Sequence, residues 1–358
     1  MTLLTLIIIV SCQNQTENKK NYNLKRVKMP QETIDKPINL SKFFKQIFFV
    51  PLETNENCLI GEISNLKCND NHIYILDERT ISVFIFNKSG KFEKKICTIG
   101  KGPNEYLSLM DFDIENDELY LLDVTQRKLL HYNKNMEFVT SIMLQFQPIG
   151  FCLTNNGFLF ETIDYSKSYN RFILTSRKGE IINKFLPTKY SQTKFNWGES
   201  NTFANTLPKT FFSIKFNDVI FELKNKDYEA SYEIDFGSKK IPANENINNY
   251  NIFAKDFPYE CRKSFFVSSK YLFFTYINNG KFNYAWYNLM NNELVAGSVL
   301  NDINKIPYMP KWDFDKGFIG SQEAYEIFQR KNIISDNKIL CNIKPNDNPA
   351  LIFYLYKD

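Results

Sequence analysis

Residues 69–77 read NDNHIYILD, and residues 115–123 read ENDELYLLD, 46 residues further along the chain. The same offset of 46 relates residues 86–92 (FNKSGKF) to residues 132–138 (YNKNMEF). Each unit places a polar turn before a short apolar strand and a second polar turn after the next strand. This order predicts a meander of short antiparallel strands. Two matches at one offset indicate an internal repeat.

A repeat of about 46 residues is typical of β-propellers, in which four-stranded blades surround an axis. One blade cannot cover its own apolar faces, so neighbouring blades must cover one another. Residues 60–358 hold about six and a half such units, which leaves six blades with an insertion or seven shorter blades. Residues 320–331 (GSQEAYEIFQRK) have a helical pattern, and this insertion favours six. We expect residues 47–52 to pair with C-terminal strands and to close the ring.

The composition agrees with an all-β fold. The 358 residues include 33 Phe and 20 Tyr but only 13 Gly and 13 Pro, and aromatic residues suit half-buried strand faces. Asparagine replaces the scarce glycine in the predicted turns, because it tolerates positive φ. Lys and Arg number 44 against 40 Asp and Glu, a formal charge of +4. This excess is too small for charge-driven binding of nucleic acid, which we do not expect as a partner.

The first residues predict an address in the cell envelope. Residues 1–10 (MTLLTLIIIV) are too short for a membrane-spanning helix, which needs about 20 apolar residues, but suit a signal peptide. Cys12 follows Ser11 directly, in a pattern that resembles the lipobox of bacterial lipoproteins, although no Lys or Arg precedes the apolar run. We therefore predict a signal peptide over 1–11, lipid attachment at Cys12 and a polar tether over 12–39. The alternative is a buried N-terminal strand that ends in a core cysteine.

The other six cysteines form no CxxC pair and do not lie beside histidine at zinc-ligand spacing. They are scattered among apolar residues, so we interpret them as small buried side chains rather than a disulfide framework. The histidines, His72 and His131, have no counterparts in the repeat, which gives little support to a catalytic triad or a multi-histidine metal site. We expect no metal, no cofactor and no identifiable catalytic residue.

Two sets of acidic residues stand at strand positions. Asp77 and Asp123 occupy equivalent strand ends, and their repetition favours a structural role in which they accept backbone N–H groups of the next turn. Residues 111–113 and 313–315 both read DFD, so each pair of acids projects from one side of a strand. The glycine turn and distal glutamate of a calcium loop do not follow. We expect these pairs on solvated strand faces.

The candidate ligand-binding residues lie in one turn and on two aromatic positions. Residues 100–106 (GKGPNEY) match neither phosphate-loop pattern and suggest a turn between blades. Lys101, Glu105 and Tyr106 in that turn are candidates to face one end of the channel. Trp286 and Trp312 are candidates for a flat platform that binds sugar rings, with packing between blades as the alternative reading.

Four segments together resemble a known family. They are residues 49–54 (FVPLET), 59–63 (LIGEI), 100–106 (GKGPNEY) and 348–351 (NPAL). This combination resembles the six-bladed β-propeller lipoproteins of unknown function of Bacteroides-type bacteria, over residues 40–358. The resemblance implies an NHL-like propeller and attachment to a membrane. It supplies no catalytic residues.

The sequence therefore predicts an all-β, six-bladed β-propeller with four-stranded antiparallel blades and a small helical insertion near the C-terminus. We expect a non-enzymatic binding or scaffold protein of the envelope, anchored by lipid in the outer membrane on its periplasmic or surface face. Its partner would be an envelope protein, a peptide or a glycan. The alternative is a carbohydrate-active enzyme, a glycan hydrolase or lyase with its site in the central channel, because propellers host such chemistry. Converging acids in the channel would favour catalysis, and a neutral channel would favour binding.

Overall fold

The structure is a computed structural model of the chain. It describes the following residues: 24–30, 36–165, 168–189, 202–206, 208–242, 245–304, 310–330 and 340–357.

Six sheets form the blades of a propeller, each with four antiparallel strands of its own, and the fourth sheet carries one N-terminal strand as a parallel fifth. The first strand of each blade lies innermost, where it lines the channel. Three strands precede the repeats: β1 (Lys25–Lys28), β2 (Ile38–Asn39) and β3 (Phe44–Pro51). Blades 1 and 2 contain β4 (Asn65–Cys68), β5 (His72–Asp77), β6 (Ser82–Asn87), β7 (Phe92–Ile96), then β8 (Asp111–Glu115), β9 (Glu118–Asp123), β10 (Lys128–Tyr132), β11 (Phe138–Met143). Blades 3 and 4 contain β12 (Pro148–Thr154), β13 (Gly157–Thr162), β14 (Ser168–Ser176), β15 (Ile181–Lys189), then β16 (Phe203–Thr206), β17 (Lys209–Phe212), β18 (Val219–Lys224), β19 (Asp227–Asp235).

The remaining strands form blades 5 and 6. Blade 5 contains β20 (Cys261–Val267), β21 (Tyr271–Asn278), β22 (Lys281–Asn288) and β23 (Leu294–Gly297), and β24 (Val299–Leu300) follows it. Blade 6 contains β25 (Trp312–Phe314), β26 (Gly317–Gln322) and β27 (Ala350–Tyr356), and β3 is its fourth strand. The expected fold class, with six four-stranded blades, is confirmed.

The ring closes between the two ends of the chain. Strand β3 pairs antiparallel with β27, which places Phe48 opposite Phe353 with stacked rings 5.2 Å apart. The predicted pairing of residues 47–52 with C-terminal strands is therefore confirmed. This pairing covers the free edge of β27 and makes β3 the outer strand of blade 6.

The repeat in the sequence corresponds to blades 1 and 2. The two matched stretches form the second strands, β5 and β9, at the same position of each blade. The turns use positive φ at non-glycine residues, as predicted for asparagine: Asn116 has φ 53° and Asn279 has φ 50°. Gly280 follows with φ 70°, and a Cβ there would lie 2.5 Å from the Phe253 carbonyl oxygen, so the backbones approach too closely for a side chain.

Two segments differ from the expectation. Of the predicted tether (12–39), β1 pairs in parallel with β19 and buries Val27, and β2 pairs with β24, so these parts pack on the propeller. The predicted helix over 320–331 is shorter: α1 spans Ala324–Gln329. Residues 320–322 instead extend β26, because their backbone pairs with β27.

The core lies between blades rather than at one centre. In the cluster between blades 5 and 6, Phe43 stacks on Trp286 with ring centroids 4.2 Å apart, and Phe44 packs edge-on against both Trp286 and Phe318. Such aromatic pairs add to the burial of apolar area that holds adjacent blades together. The many aromatic residues of the sequence therefore serve the repeated interface between blades.

Candidate functional site

The central channel contains a cavity of about 850 Å³. It is lined by residues from the innermost strands of all six blades, and its wall carries six acidic and four basic side chains. The acidic residues are Asp111, Asp113, Glu115, Glu161, Asp313 and Asp315, and the basic ones are Lys67, Arg171, Lys215 and Lys311. The channel of a protein with a net positive charge is thus rich in carboxylates.

Asp111 and Asp113 connect blade 2 to blade 3. The Asp111 carboxylate accepts hydrogen bonds from the backbone N–H of Phe151 at 2.9 Å and from Asn65 Nδ2 at 2.8 Å. Asp113 accepts the backbone N–H of Leu153, also at 2.9 Å. These bonds fix the two carboxylates against strand β12, where they satisfy N–H groups that face the channel.

Lys67 of blade 1 lies among these acids. Its Nζ is 3.5 Å from Asp113 Oδ1, and Asp111 and Asp313 lie within electrostatic reach. Burial opposes the charge of the lysine, but the attraction of the three carboxylates outweighs it and raises the pKa of Lys67. We call Asp111, Asp113 and Asp313 with Lys67 the carboxylate cluster.

Two acids of this cluster, Asp111 and Asp313, lie in an environment that disfavours their charge. Burial in the channel raises the pKa of Asp111 to about 6, against the opposing effects of its hydrogen bond from Phe151 and of Lys67. Burial also raises the pKa of Asp313, which Lys67 counteracts. The expectation of solvated strand faces was wrong for Asp113, which is only 5% exposed, whereas Asp111 and Asp313 are half-buried and Asp315 is exposed. All four acids line the channel. On β8 this face is turned toward the inner strand of blade 3, whose N–H groups Asp111 and Asp113 accept.

A second group of charges lies on the wall formed by blades 3 and 4. Arg171 Nη2 pairs with Glu161 Oε1, and the other Glu161 oxygen accepts the Thr202 hydroxyl at 2.7 Å. Arg171 Nη1 donates to the Tyr169 hydroxyl at 3.0 Å. Arg171 is 5% exposed, and its Nε has no hydrogen-bond partner within the described part of the chain.

Lys215 belongs to the same wall. Burial lowers its pKa, and the nearby positive charge of Arg171 acts in the same direction, while Glu161 opposes them. We call Arg171 and Lys215 the basic wall. Glu161 lies close to both cationic groups, and the carboxylate cluster combines three acids with one lysine.

The predicted turn of residues 100–106 lies between blades 1 and 2. Glu105 Oε2 accepts the N–H of Gly102 at 2.8 Å, and the buried Tyr106 hydroxyl donates to the Ile96 carbonyl at 3.1 Å. Lys101 is exposed. Lys101, Glu105 and Tyr106 are not among the residues that line the cavity, so their role in ligand binding stays a prediction without support from the geometry.

The two tryptophans occupy different places. Trp286 is 1% exposed and stacks on Phe43 between blades, where no face remains for a sugar ring. Trp312 is 9% exposed and does line the cavity, next to the carboxylate cluster. The structure therefore brings only Trp312 of the predicted ligand residues to the channel. Cys12 lies outside the described residues.

The structural role predicted for Asp77 and Asp123 is confirmed. Asp77 accepts the N–H groups of Gly61 at 2.7 Å and Arg79 at 3.0 Å, and Asp123 accepts that of Leu107 at 2.9 Å. Both carboxylates therefore tie the turn after their strand to the segment that enters the blade.

Among the described residues, the histidines and cysteines do not form a metal site. His72 contacts Glu93 and Asp117, and His131 contacts Glu118 at 2.9 Å. Among the described residues, Cys58, Cys68, Cys97, Cys152 and Cys261 are free thiols. No group of three or more possible metal ligands occurs in the described ranges.

Sequence reasoning missed Lys67, Glu161, Arg171 and Lys215. A signal for the first was present, because Lys67 precedes Asp113 by the repeat offset of 46 residues. The repeat thus places a lysine and an aspartate at one position of adjacent inner strands. Glu161 and Arg171 lie on the second and third strands of blade 3, where no repeat register pointed to the channel.

Comparison with known proteins supports the fold. A crystal structure of a Bacteroides fragilis protein, provisionally described as exported, has a TM-score of 0.75 at 20% identity and covers 93% of this chain and 100% of its own. A Bacteroides vulgatus member of the DUF4221 family has a TM-score of 0.52 at 10% identity and covers 88% of this chain and 97% of its own. Likeness at these identities shows the fold alone. No protein with a curated description matches the chain.

In the described residues, no helix is long and apolar enough to cross a membrane.

The resemblance to propellers of unknown function is confirmed by one further match. The family model of a domain of unknown function, DUF4934, covers residues 24–355. Because this range holds every blade of the propeller, the chain belongs to the DUF4934 family.

Proposed function

We propose that this protein is an exported binding propeller that takes a polar ligand into its central channel. The observation that carries the proposal is the cavity of about 850 Å³ with ten charged side chains on its wall. Its size is that of cavities that enclose small ligands. Three of them, Asp113, Glu161 and Arg171, are buried, and burial of a charge disfavours folding unless the charge is paired. The carboxylate cluster holds three acids for one lysine.

Binding is the role that these groups suit best, because the converging acids that were expected to favour catalysis include two that hold the backbone of blade 3. Asp111 and Asp113 accept hydrogen bonds from the backbone of blade 3, and these bonds fix the two side chains as part of the channel wall. Asp313, Trp312 and the basic wall offer charge and an aromatic edge in the same cavity. A peptide or a glycan supplies the hydroxyl, amine and carboxyl groups that such a wall recognises.

The binding role is tested by calorimetric titration of the purified full chain with a panel of envelope glycans and short peptides. The variant Asp313→Asn removes one channel charge, and Asp256→Asn changes an exposed acid as the control. We expect a ligand whose affinity falls at least tenfold in Asp313→Asn and is unchanged in Asp256→Asn. A panel without any binder, or binding that ignores Asp313, would contradict the proposal.

A second candidate function is a carbohydrate-active enzyme, a hydrolase or lyase. The acids converge in the channel, and the pKa of Asp111 near 6 sets it apart from an ordinary carboxyl. Glycosidases use two carboxyl groups in which one is protonated and the other is ionised. Release of reducing ends from a purified polysaccharide, lost in Asp313→Asn, would favour this enzyme over the binding role.

We also propose that lipid at Cys12 holds the protein at the membrane. The lipobox-like start and the exported relative support this address. Cells fed a palmitate analogue should label the wild-type protein and not Cys12→Ala. If the wild-type protein is not labelled, the proposed lipid anchor at Cys12 is wrong. Protease treatment of intact cells would show which face of the outer membrane carries the protein.

A further inference from the structure

We infer that Cys68 and Lys88 form a covalent crosslink on oxidation, in which one oxygen atom joins the cysteine sulfur to the lysine nitrogen. The link would tie β4 to the turn between β6 and β7, beside the central channel. This modification site does not depend on the proposed binding function. It follows from the position of the lysine amine against the thiol, from the contacts that hold the amine there, and from the access that the channel gives to small oxidants.

The amine and the thiol come from different parts of blade 1. Cys68 is the last residue of β4, the inner strand, and Lys88 directly follows β6. Lys88 Nζ lies 2.8 Å from Cys68 Sγ and also 2.8 Å from the Asn69 carbonyl oxygen. Sulfur is a larger atom than oxygen, so a contact to sulfur that is as short as the contact to oxygen is unusually close. The amine and the thiol are thus near enough for one oxygen atom to bridge them.

Two aromatic rings of blade 6 hold the lysine amine in this position. Lys88 Nζ lies 5.5 Å from the centre of the Phe353 ring and 5.8 Å from the centre of the Phe314 ring. These cation–π contacts, together with the hydrogen bond to Asn69, restrict a side chain that is otherwise flexible. Holding two reacting groups in one geometry removes much of the entropic cost of joining them. The crosslink therefore requires little movement of either residue.

The thiol is accessible to small molecules in the channel. Cys68 is half-buried and lines the cavity, whereas Cys58 and Cys261 are buried. Burial raises the pKa of the Cys68 thiol, while the hydrogen bond and the charge of Lys88 act against this rise. The thiol is therefore mostly protonated at neutral pH. Because the reaction needs both groups without their protons, we expect it to be faster in alkaline solution.

One molecule of dioxygen balances the reaction. The thiol and the neutral amine each lose two electrons, and dioxygen accepts all four. An S–O bond and an O–N bond form, while the S–H bond, one N–H bond and the O–O bond break. One oxygen atom becomes the bridge, and the other leaves as water with the two hydrogen atoms released from sulfur and nitrogen. The sulfur stays at the sulfenic level of oxidation, from which thiol reductants return it to cysteine.

The experiment exposes the reduced full chain to air-saturated buffer at pH 7 and pH 9 and then digests it with a glutamate-specific protease. Cleavage after Glu62, Glu78 and Glu93 places Cys68 in the peptide 63–78 and Lys88 in the peptide 79–93. We expect mass spectrometry to detect the two peptides joined, with one oxygen atom gained and two hydrogen atoms lost. The joined form should be more abundant at pH 9, and a thiol reductant should separate the two peptides.

Matched variants assign the link to its two atoms. Cys68→Ser and Lys88→Arg should each reduce the joined peptides at least tenfold, and Lys88→Arg retains a cation beside the aromatic rings. Cys97→Ala, at an exposed cysteine, and Lys91→Arg, at an exposed lysine of the peptide 79–93, should retain the link. Circular dichroism confirms that every variant is folded.

Three results would overturn the inference. They are separate peptides after oxidation at both pH values, oxidation of Cys68 with an unmodified Lys88, and a link that lacks the added oxygen atom. A failure of the binding assays would leave the crosslink unaffected, because the two proposals share no measurement.

Discussion

Replacement of Lys67 by methionine tests whether the carboxylate cluster is a real electrostatic unit. The change keeps an unbranched side chain and removes the one cation among Asp111, Asp113 and Asp313. At the observed 3.5 Å, the attraction to Asp113 alone is about 5 kcal/mol for an effective dielectric constant of about 20. Methionine also removes the desolvation cost of the lysine, so we expect a net loss of about 3 kcal/mol at pH 7.

The loss should depend on pH with a defined sign. Without Lys67, the pKa of Asp111 rises beyond its present value of about 6, and that of Asp313 rises as well. The folded variant therefore binds more protons than the unfolded chain in mildly acidic solution, and its stability grows as the pH falls. The difference between wild type and Lys67→Met should shrink between pH 7 and pH 5.

Urea unfolding followed by tryptophan fluorescence measures both quantities. With about 2.1 cal/mol/K of unfolding entropy per residue, a loss of 3 kcal/mol corresponds to about 4 °C in Tm for this chain of 358 residues. Lys281→Met, at an exposed lysine, is the matched control and should change stability by about 0.5 kcal/mol or less. A loss below about 1 kcal/mol, or one that is constant from pH 5 to pH 7, would refute the reasoning.

Three further measurements address other parts of the structure. Asp77→Ala and Asp123→Ala should each cost about 2 kcal/mol in urea unfolding, because each leaves several N–H groups without an acceptor, and stable variants would contradict the structural role. The ordinary pKa of an aspartate is 3.8, and burial raises the pKa of Asp111 to about 6. In the wild-type protein, the contribution of Asp111 to stability therefore falls by at most about 3 kcal/mol as the pH rises from 3.8 to about 6. Asp111→Asn should flatten that slope, and an unchanged slope would assign it to other groups. Trp286→Ala should cost about 3–5 kcal/mol through the cavity left beside Phe43, and a loss below about 1 kcal/mol would argue against its packing role.

The fold was predictable because each blade of a propeller repeats the same local pattern of strands and turns in the sequence. Residues 69–77 and 115–123 repeat one strand and its turn, and each blade needs the same solution to the same packing problem. The closing strand could be placed because a ring leaves one position for an extra N-terminal strand. The helix over 320–331 was overestimated, because Gly320–Gln322 pair with β27 and this tertiary pairing overrides a local helical pattern.

The site was less predictable, since its residues are brought together by the ring. Lys67, Asp113 and Asp313 lie on the inner strands of three different blades. Each alternates with apolar residues along its strand, and a strand with one face in solvent shows the same alternation. The first strand of each repeat lies nearest the axis, but the sequence does not show which of its side chains reach the channel and which pack between blades. Of the two readings of Trp286, packing between blades is the one that the structure shows. The sequence left both open, because an aromatic residue in a propeller strand packs between blades as readily as it binds a sugar.

The hydrogen bonds of the channel separate the acids that build it from those that are available to a ligand. Asp111 and Asp113 hold the backbone of β12, so their loss would disturb the joint between blades 2 and 3 together with any binding. Asp313 reaches the same cavity from blade 6, and Lys67 is its cationic neighbour there. A change at Asp313 therefore removes charge from the cavity while the joint between blades 2 and 3 remains. If the channel served only to hold the ring together, Asp313→Asn would fold with equal or greater stability and would change no other property.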